Sequence, residues 1–357
     1  MVLKKLQLYN FRNIKEAEIF PHEQMNVIYG ENAQGKTNLL EALWCFTGAK
    51  SFRGAKDSEL IKFENETAKL VLEFYDDGRI QECIIEISKT RKAILNGVDY
   101  GAASKLAGKI YSIVFSPNDI SIIKDGPIFR RKFLDTAICQ LYPVYISIFK
   151  RYTRALDQRN KILKEIKYNP LLEEFILDFE KELAECGTQI IKYRKTFIND
   201  LNKFLPEIYK GLSSGKEKIL LEYNFNASEN KEEYLEILKQ SKKEDILNIS
   251  TSIGPHRDDL NININNVSAR SFGSQGQKRS AVLALKLAEA AVINKITGKK
   301  PIALLDDVMS ELDTSRQNYI LNHIKGWQVF LTCCDEENIL NIENGKIFKV
   351  QNGKISE

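Results

Sequence analysis

The eight residues GENAQGKT at positions 30–37 constrain this chain more than any other stretch. They follow the short apolar run MNVIY and precede NLLEALWCFTG, whose apolar spacing is helical and which stops at Gly48. A strand, a glycine-bearing turn and a helix in that order fit G-x-x-x-x-G-K-[ST]. Gly30 and Gly35 permit backbone angles and a close approach that a Cβ would block. Successive backbone N–H groups can then wrap an anion at the positive end of the following helix. In a loop of this kind Lys36 reaches the β- and γ-phosphates of ATP, and Thr37 offers a hydroxyl to Mg²⁺. Asn32 and Asn38, inside and just behind the loop, join the candidate nucleotide contacts.

With 357 residues the chain exceeds what one core usually serves, so two lobes are expected. No run approaches the ~20 apolar residues of a membrane span. The N-terminus alternates like a strand and lacks a signal-peptide pattern, which predicts a cytoplasmic protein without a membrane partner. The six cysteines form no Cys-x-x-Cys pair and the three histidines do not cluster with them. Reduced thiols are therefore expected, with neither zinc nor disulfides.

Strand patterns open the chain, and a meander spans 69–100 with turn signals at Asp77-Gly78 and Asn96-Gly97. From 127 to 210 the period becomes helical. One apolar stripe runs through Leu172, Phe175, Phe179, Leu183, Cys186, Ile190, Tyr193, Phe197, Leu201 and Phe204, bracketed by Pro170 and Pro206. The preceding helical segment is expected to kink at Pro143. Strand character returns in KILLEYNF, DLNININNV, PIALLDDV and WQVFLTC, and KIFKVQNGKI reads as a closing hairpin. The expected fold is α/β: a head made of 1–126 and 211–357, interrupted by a mostly α-helical insertion lobe at 127–210.

PIALLDDV delivers two acids from a buried strand. Asp306 suits the Mg²⁺ shell and Asp307 the neighbourhood of an attacking water. SFGSQGQKRS, at 271–280, opens another long helix with a hydroxyl at Ser274 and a permissive Gly276. Such a turn is a second phosphate-friendly site or simply a helix capped by Ser274. Phosphate loop, SxGQ, apolar-Asp-Asp strand and SELD occur in an order that resembles the head of ATP-binding-cassette ATPases. LQLYNFRN, GENAQGKTNLLEAL, FSPNDISIIKDGPIFRRKFLD, GPHRDDL, FGSQGQKRSAVLALKLAE and LLDDVMSELD narrow this, and resemble the RecF family within the SMC-like branch of those ATPases.

The resemblance implies a P-loop ATPase of recombinational gap repair that binds DNA without base specificity, with ATP and Mg²⁺ as cofactors. It implies an ATP-induced homodimer in which the signature of one copy caps the nucleotide of the other, and RecO and RecR as partners in loading RecA. It makes Gly30, Gly35, Lys36 and Thr37 the Walker A residues, Ser274, Gly276 and Gln277 the signature, Asp306 and Asp307 the Walker B pair, and Asp313 the D-loop acid. Lys36, Gln277 and Asp307 become the catalytic set, and Arg12 a further nucleotide contact. The chain departs from the cassette pattern in having Asp307 where Glu is usual. Thr332 stands near the place of the switch His, Asn118 or Asp119 near that of the Q-loop Gln, and Ala33 at a frequent Gly. The missing His and the shortened acid imply slow hydrolysis. A transporter's nucleotide-binding subunit and a non-hydrolysing ATP-gated scaffold are the alternative readings.

Residues 129–167 carry ten basic side chains, including Lys167, and three acidic ones, against a whole-chain charge of +4. Arg130, Arg131, Arg151, Arg154 and Lys161 are the expected contacts to DNA phosphates.

Overall fold

The computed structural model describes every residue except 167, 214, 216 and 335–343, so Lys167 lies outside the described residues. The chain divides into two compact units, 1–119 with 283–357, and 120–282.

In chain order the first unit begins with β1 (Val2–Phe11), β2 (Ile14–Ile19), β3 (Met25–Tyr29) and α1 (Lys36–Cys45). It continues with β4 (Ala68–Asp76), β5 (Arg79–Ile87), β6 (Arg91–Leu95), β7 (Val98–Ala102) and β8 (Ser112–Phe115). The second unit holds α2 (Ser121–Lys124), α3 (Pro127–Leu141), α4 (Pro143–Glu165), α5 (Glu173–Leu212), β9 (Ile219–Asn224) and α6 (Lys231–Asn248). Then come β10 (Asp259–Ile264), β11 (Val267–Ser268), α7 (Ala269–Phe272) and the start of α8 (Gln275–Thr297). The chain closes in the first unit with β12 (Ile302–Leu305), α9 (Thr314–His323), β13 (Val329–Cys333), β14 (Gly345–Gln351) and β15 (Lys354–Ser356).

The first unit contains two six-stranded sheets. One runs β15-β14-β3-β13-β12-β8, with every pairing parallel except that of β15. Every residue of β8, β12 and β13 is buried, as expected where a parallel sheet is covered on both faces. The other sheet is antiparallel, β2-β1-β4-β5-β6-β7, and contains the meander expected at 69–100. Leu39, Leu40 and Leu43 of α1 join residues of both sheets in one core, with Leu6, Leu70, Ile85, Leu304 and Phe330 among them. This packing fixes α1, and therefore the loop before it, against two layers. The carboxyl ends of β3, β12 and β13 lie at one edge of the parallel sheet, the usual place for a ligand in open α/β folds.

In the second unit α4 and α5 run antiparallel. Arg151 pairs with Glu182, and Arg159 with Glu180, while Leu163, Ile166 and Ile176 form a small core. Arg159 is completely buried. Its guanidinium donates to Asp245 at 2.7 Å, Glu180 at 2.9 Å and Thr251 at 2.9 Å. Arg194, equally enclosed, forks onto Asp135 at 2.8 Å through both bonds and donates to the Pro255 carbonyl at 2.7 Å. These charges tolerate burial because partners meet nearly all their donors.

Four sequence expectations change. Pro206 does not end the long helix but lies inside α5, which spans 40 residues. The bond that proline forfeits is outweighed by the burial of Leu201, Leu205, Ile208, Tyr209 and Leu212 around it. Pro143 does not kink a helix but starts a new one, because Tyr142 before it takes a non-helical conformation (φ −129°, ψ 88°). Phe175, expected in the apolar stripe, is 58% exposed. Residues 211–282, read with the head from sequence, cluster here with 120–210. Asn202 of α5 faces β9, donating to the Leu221 carbonyl at 2.9 Å and accepting from the Leu221 N–H at 3.0 Å.

Candidate functional site

The loop after β3 is shaped by two glycines at φ +153° and +116°, Gly30 and Gly35. A Cβ on Gly30 would collide with the Val350 carbonyl oxygen of β14, and one on Gly35 would stand 2.7 Å from Asn13 Oδ1. The loop is stitched down from outside. Asn13 donates to the Gln34 carbonyl at 2.8 Å, Asn38 donates to Asn13 at 2.8 Å, and the Asn352 N–H donates to Gln34 Oε1 at 2.6 Å. The Lys36 ammonium folds back over the loop. It donates to the carbonyls of Gly30 at 2.7 Å and Glu31 at 3.1 Å, and to Cys334 Sγ at 3.2 Å. Cys334 in turn donates to Asn32 Oδ1 at 3.0 Å.

Thr37 and Asp306, far apart in sequence, meet here. The Thr37 hydroxyl donates to Asp306 Oδ1 at 2.7 Å. Burial pushes the Asp306 carboxyl above its ordinary range; the Thr37 bond opposes this and the Asp307 charge adds to it. A buried carboxylate and a hydroxyl at the mouth of a glycine-shaped anion cradle are the oxygen donors a Mg²⁺ ion takes. No group of three or more His, Cys, Asp or Glu able to hold a metal exists among the described residues. Asp307 has left-handed backbone (φ +51°), and its N–H donates to Thr332 Oγ1 at 2.8 Å. Thr332 also lies 3.3 Å from Asp306 Oδ1, so the residue in place of a switch His touches both acids.

Arg12 is turned inward. Its guanidinium donates to Glu41 at 2.8 and 3.0 Å and to the Glu59 carbonyl at 2.7 Å. Glu41, fully buried on α1, also accepts from Ser51 and lies 3.9 Å from Arg53. Arg53 donates to Asn38 Oδ1 at 3.0 Å and its charge favours ionised Asp306. Sequence reading missed Asn13, Gln34 and Arg53; Asn13 stood inside the quoted NFRN, but nothing local tells that an amide there braces Gly35. Asp119 accepts from the Ser116 N–H at 2.8 Å, while Asn118 is exposed. Asp313 caps α9 through the Arg316 N–H at 3.0 Å, a bond that lowers its carboxyl pKa.

In the second unit Ser274 and Gln277 bond reciprocally at the start of α8. The Ser274 N–H donates to Gln277 Oε1 at 2.7 Å, and the Gln277 N–H to Ser274 Oγ at 3.2 Å. Both the phosphate-friendly and the capping readings of that turn thus rest on the same hydroxyl, which is exposed. Gly276 lies between them in the first turn of α8, on half-buried backbone.

The sequence model described as RecF/RecN/SMC N terminal domain matches residues 2–356. The chain belongs to the RecF family. It is 40% identical to the DNA replication and repair protein RecF of Lachnoclostridium phytofermentans over 361 residues, covering all of both chains. The same protein of Clostridium perfringens is 40% identical, with 99% of each chain covered. Among solved structures, the recombination mediator protein RecF with ATP superposes with TM-score 0.92 at 36% identity, covering 99% of this chain and 97% of that one. An Smc head domain of Pyrococcus furiosus superposes with TM-score 0.55 at 18% identity and shares the fold. The α/β cassette-type head with a helical lobe, expected from the motifs, is the fold observed.

The basic stripe that this RecF-family chain was expected to present is thinner than its composition. Arg130 is not on the surface: it is 3% exposed and forks onto Asp259 at 2.6 and 3.0 Å. Arg131 is half-buried and donates to the Asp258 carbonyl at 2.7 Å. Arg151 is exposed but holds Glu182 and Glu185. Arg154 and Lys161 are exposed and have no carboxylate partner among the described residues. No helix of the described residues is long and apolar enough to cross a membrane.

Proposed function

We propose that this chain is an ATP-binding, slowly hydrolysing DNA-repair protein that works as an ATP-induced homodimer. The observation that carries this reading is the 2.7 Å contact of Thr37 with Asp306 beside the glycine-shaped loop. It sets a hydroxyl and a buried carboxylate where a nucleotide-bound Mg²⁺ takes its protein oxygens. The solved structure of RecF with ATP supports the same ligand here. Lys36 exchanges its two loop carbonyls for the β- and γ-phosphates, a stronger charge-assisted pairing. Mg²⁺, when bound, neutralises charge on the phosphate oxygens. Asp307 orients the attacking water, and Thr332 holds its backbone; the acid is one methylene shorter than Glu, which fits slow turnover.

Ser274, Gly276 and Gln277 are the part that closes on the nucleotide of a second copy. Asp313 belongs to that closing surface, and Arg12 braces α1 behind the loop. Arg154 and Lys161 carry the non-specific DNA contacts. By family, the protein acts in the cytoplasm in gap repair and replication restart, with RecO and RecR helping RecA onto gapped DNA.

Light scattering with ATP, ADP and no nucleotide tests the reading. A dimer with ATP that relaxes with ADP supports it. A monomer under all three conditions, with ATP demonstrably bound, overturns the shared-site account and leaves an ATP-gated scaffold. Turnover well above ~10 per second, the enzyme median, contradicts a slow clamp.

A further inference from the structure

The signature turn is tied to the end of the longest helix through one carboxylate. The Gln277 side-chain amide donates to Glu217 Oε1 at 2.6 Å, and the Tyr209 hydroxyl donates to Glu217 Oε2 at 2.7 Å. Tyr209 is fully buried on the last turn of α5. On its other side Gln277 accepts from the Ser274 N–H and donates its own N–H to Ser274 Oγ. Tyr209, Glu217, Gln277 and Ser274 thus form one series of hydrogen bonds within the unit 120–282.

We infer that Glu217 is a positioning residue for the signature turn, and that α5 sets that turn through Tyr209. Glu217 uses each carboxylate oxygen on a different partner, so it is a bridge and not a cap for either. Gln277 is half-buried and has three side-chain torsions; without Glu217 its amide is free to rotate, and its bond to the Ser274 N–H is lost. Ser274 Oγ accepts from the Gln277 backbone N–H, which leaves its own proton available to donate to an acceptor such as a phosphate oxygen. Rotation of the Gln277 side chain releases the Ser274 N–H and loosens the turn that presents this hydroxyl. This inference rests on the reading above, in which the turn closes on the nucleotide of a second copy. It adds the coupling: the position of the last turn of α5, passed on through Tyr209 and Glu217, sets how readily the dimer forms.

The test uses the full chain with Glu217→Ala, Glu217→Gln and Tyr209→Phe. Amide hydrogen exchange without nucleotide reads the turn directly. We expect faster exchange at Ser274 and Gln277 in Glu217→Ala and Tyr209→Phe. Glu217→Gln stays near wild type, because its amide oxygen still accepts from Gln277 and its NH₂ can donate to the Tyr209 oxygen. ATP affinity of the monomer stays within about threefold in all three. ATP-driven dimerisation weakens about tenfold to a hundredfold in Glu217→Ala, the loss expected for a charge-assisted bond. Unchanged exchange at 274–277 in both Glu217→Ala and Tyr209→Phe overturns the relay. A wild type that never dimerises with ATP overturns the shared site instead, and exchange still decides the relay. Tyr209→Phe keeps the buried ring, so a general folding defect in Glu217→Ala does not mask the outcome.

Discussion

The Asp307 N–H donates to Thr332 Oγ1 at 2.8 Å, so the end of β13 holds the backbone of the second acid after β12. Asp307 needs that anchor because its φ of +51° is costly for a residue with a Cβ. Replacing Thr332 by Val leaves a buried N–H unpaired, at about 1–3 kcal/mol. We expect single-turnover hydrolysis to fall about tenfold or more, with ATP affinity within about threefold and activity restored by Thr332→Ser. Equal loss in the Val and Ser variants would show that the hydroxyl is irrelevant.

Lys36→Ala, Ser274→Arg and Asp307→Asn separate the three proposed steps. The first should abolish nucleotide binding, read by equilibrium dialysis. The second should bind ATP normally and stay monomeric. The third should accumulate an ATP-bound dimer that ADP does not release. Loss of ATP binding and dimerisation together in Ser274→Arg would argue against a site shared between copies.

Gly35 and Ala33 make opposite predictions. Gly35→Ala places a Cβ against Asn13 in a backbone conformation (φ +116°) unsuited to it, so the melting temperature should drop by several degrees and ATP binding should fail. Ala33 already sits at φ +64°. Ala33→Gly relieves roughly 1–2 kcal/mol of strain and gives back up to about 1 kcal/mol in chain entropy. A rise of about 1–3 °C in melting temperature is expected.

Arg130→Ala and the pair Arg154→Ala with Lys161→Ala should fail differently. The first strands the Asp259 carboxylate and should lower stability by a few kcal/mol while leaving the salt dependence of DNA binding unchanged. The second should leave the melting temperature alone and reduce the slope of log K against log salt by about 1–2. An unchanged slope would place DNA elsewhere.

His256 gives the second unit an acid sensitivity. Its ring is enclosed, with Nε2 donating to the Thr251 carbonyl at 2.9 Å and Nδ1 2.6 Å from the Tyr152 hydroxyl, which can donate to it in the neutral form. Burial holds its pKa down to about 4, and the nearby Arg257 and Arg131 charges add to this. The unfolded chain therefore takes up the proton first, and stability contributed by neutral His256 is lost as pH falls from 6.5 towards 4, by about 3 kcal/mol in full. Asp258 works the other way. Burial raises it to about 6, so its contribution grows as pH falls from 6 towards 3.8. The difference in unfolding free energy between wild type and His256→Asn isolates the histidine. That difference should be largest at pH 7.5 and shrink by pH 4.5; a constant difference would refute the assignment.

The glycine-shaped loop, the strand that ends in two acids and the meander were legible because each is specified by neighbours in sequence. Gly30 to Thr37 lie within one turn of chain, and Asp-Gly and Asn-Gly fix their hairpins locally. What stayed hidden depends on distant partners. A charge count cannot tell Arg154 from Arg159, since only the fold brings Asp245 and Glu180 to the latter. Pro206 reads as a stop until the residues around it are seen to be buried. Glu217 carries no motif at all; its role arises from Tyr209 and Gln277, eight and sixty residues away.

The side-chain amide of Asn202 has a consequence for solubility. It meets both the N–H and the C=O of Leu221, on the outer rim of a three-stranded sheet in which β9 is terminal. One planar amide there occupies the two groups that an incoming extended peptide would have to pair with first. The lobe keeps its exposed ribbon closed to fibril-like growth with a single residue, contributed by the helix turn that also lost a backbone bond to proline.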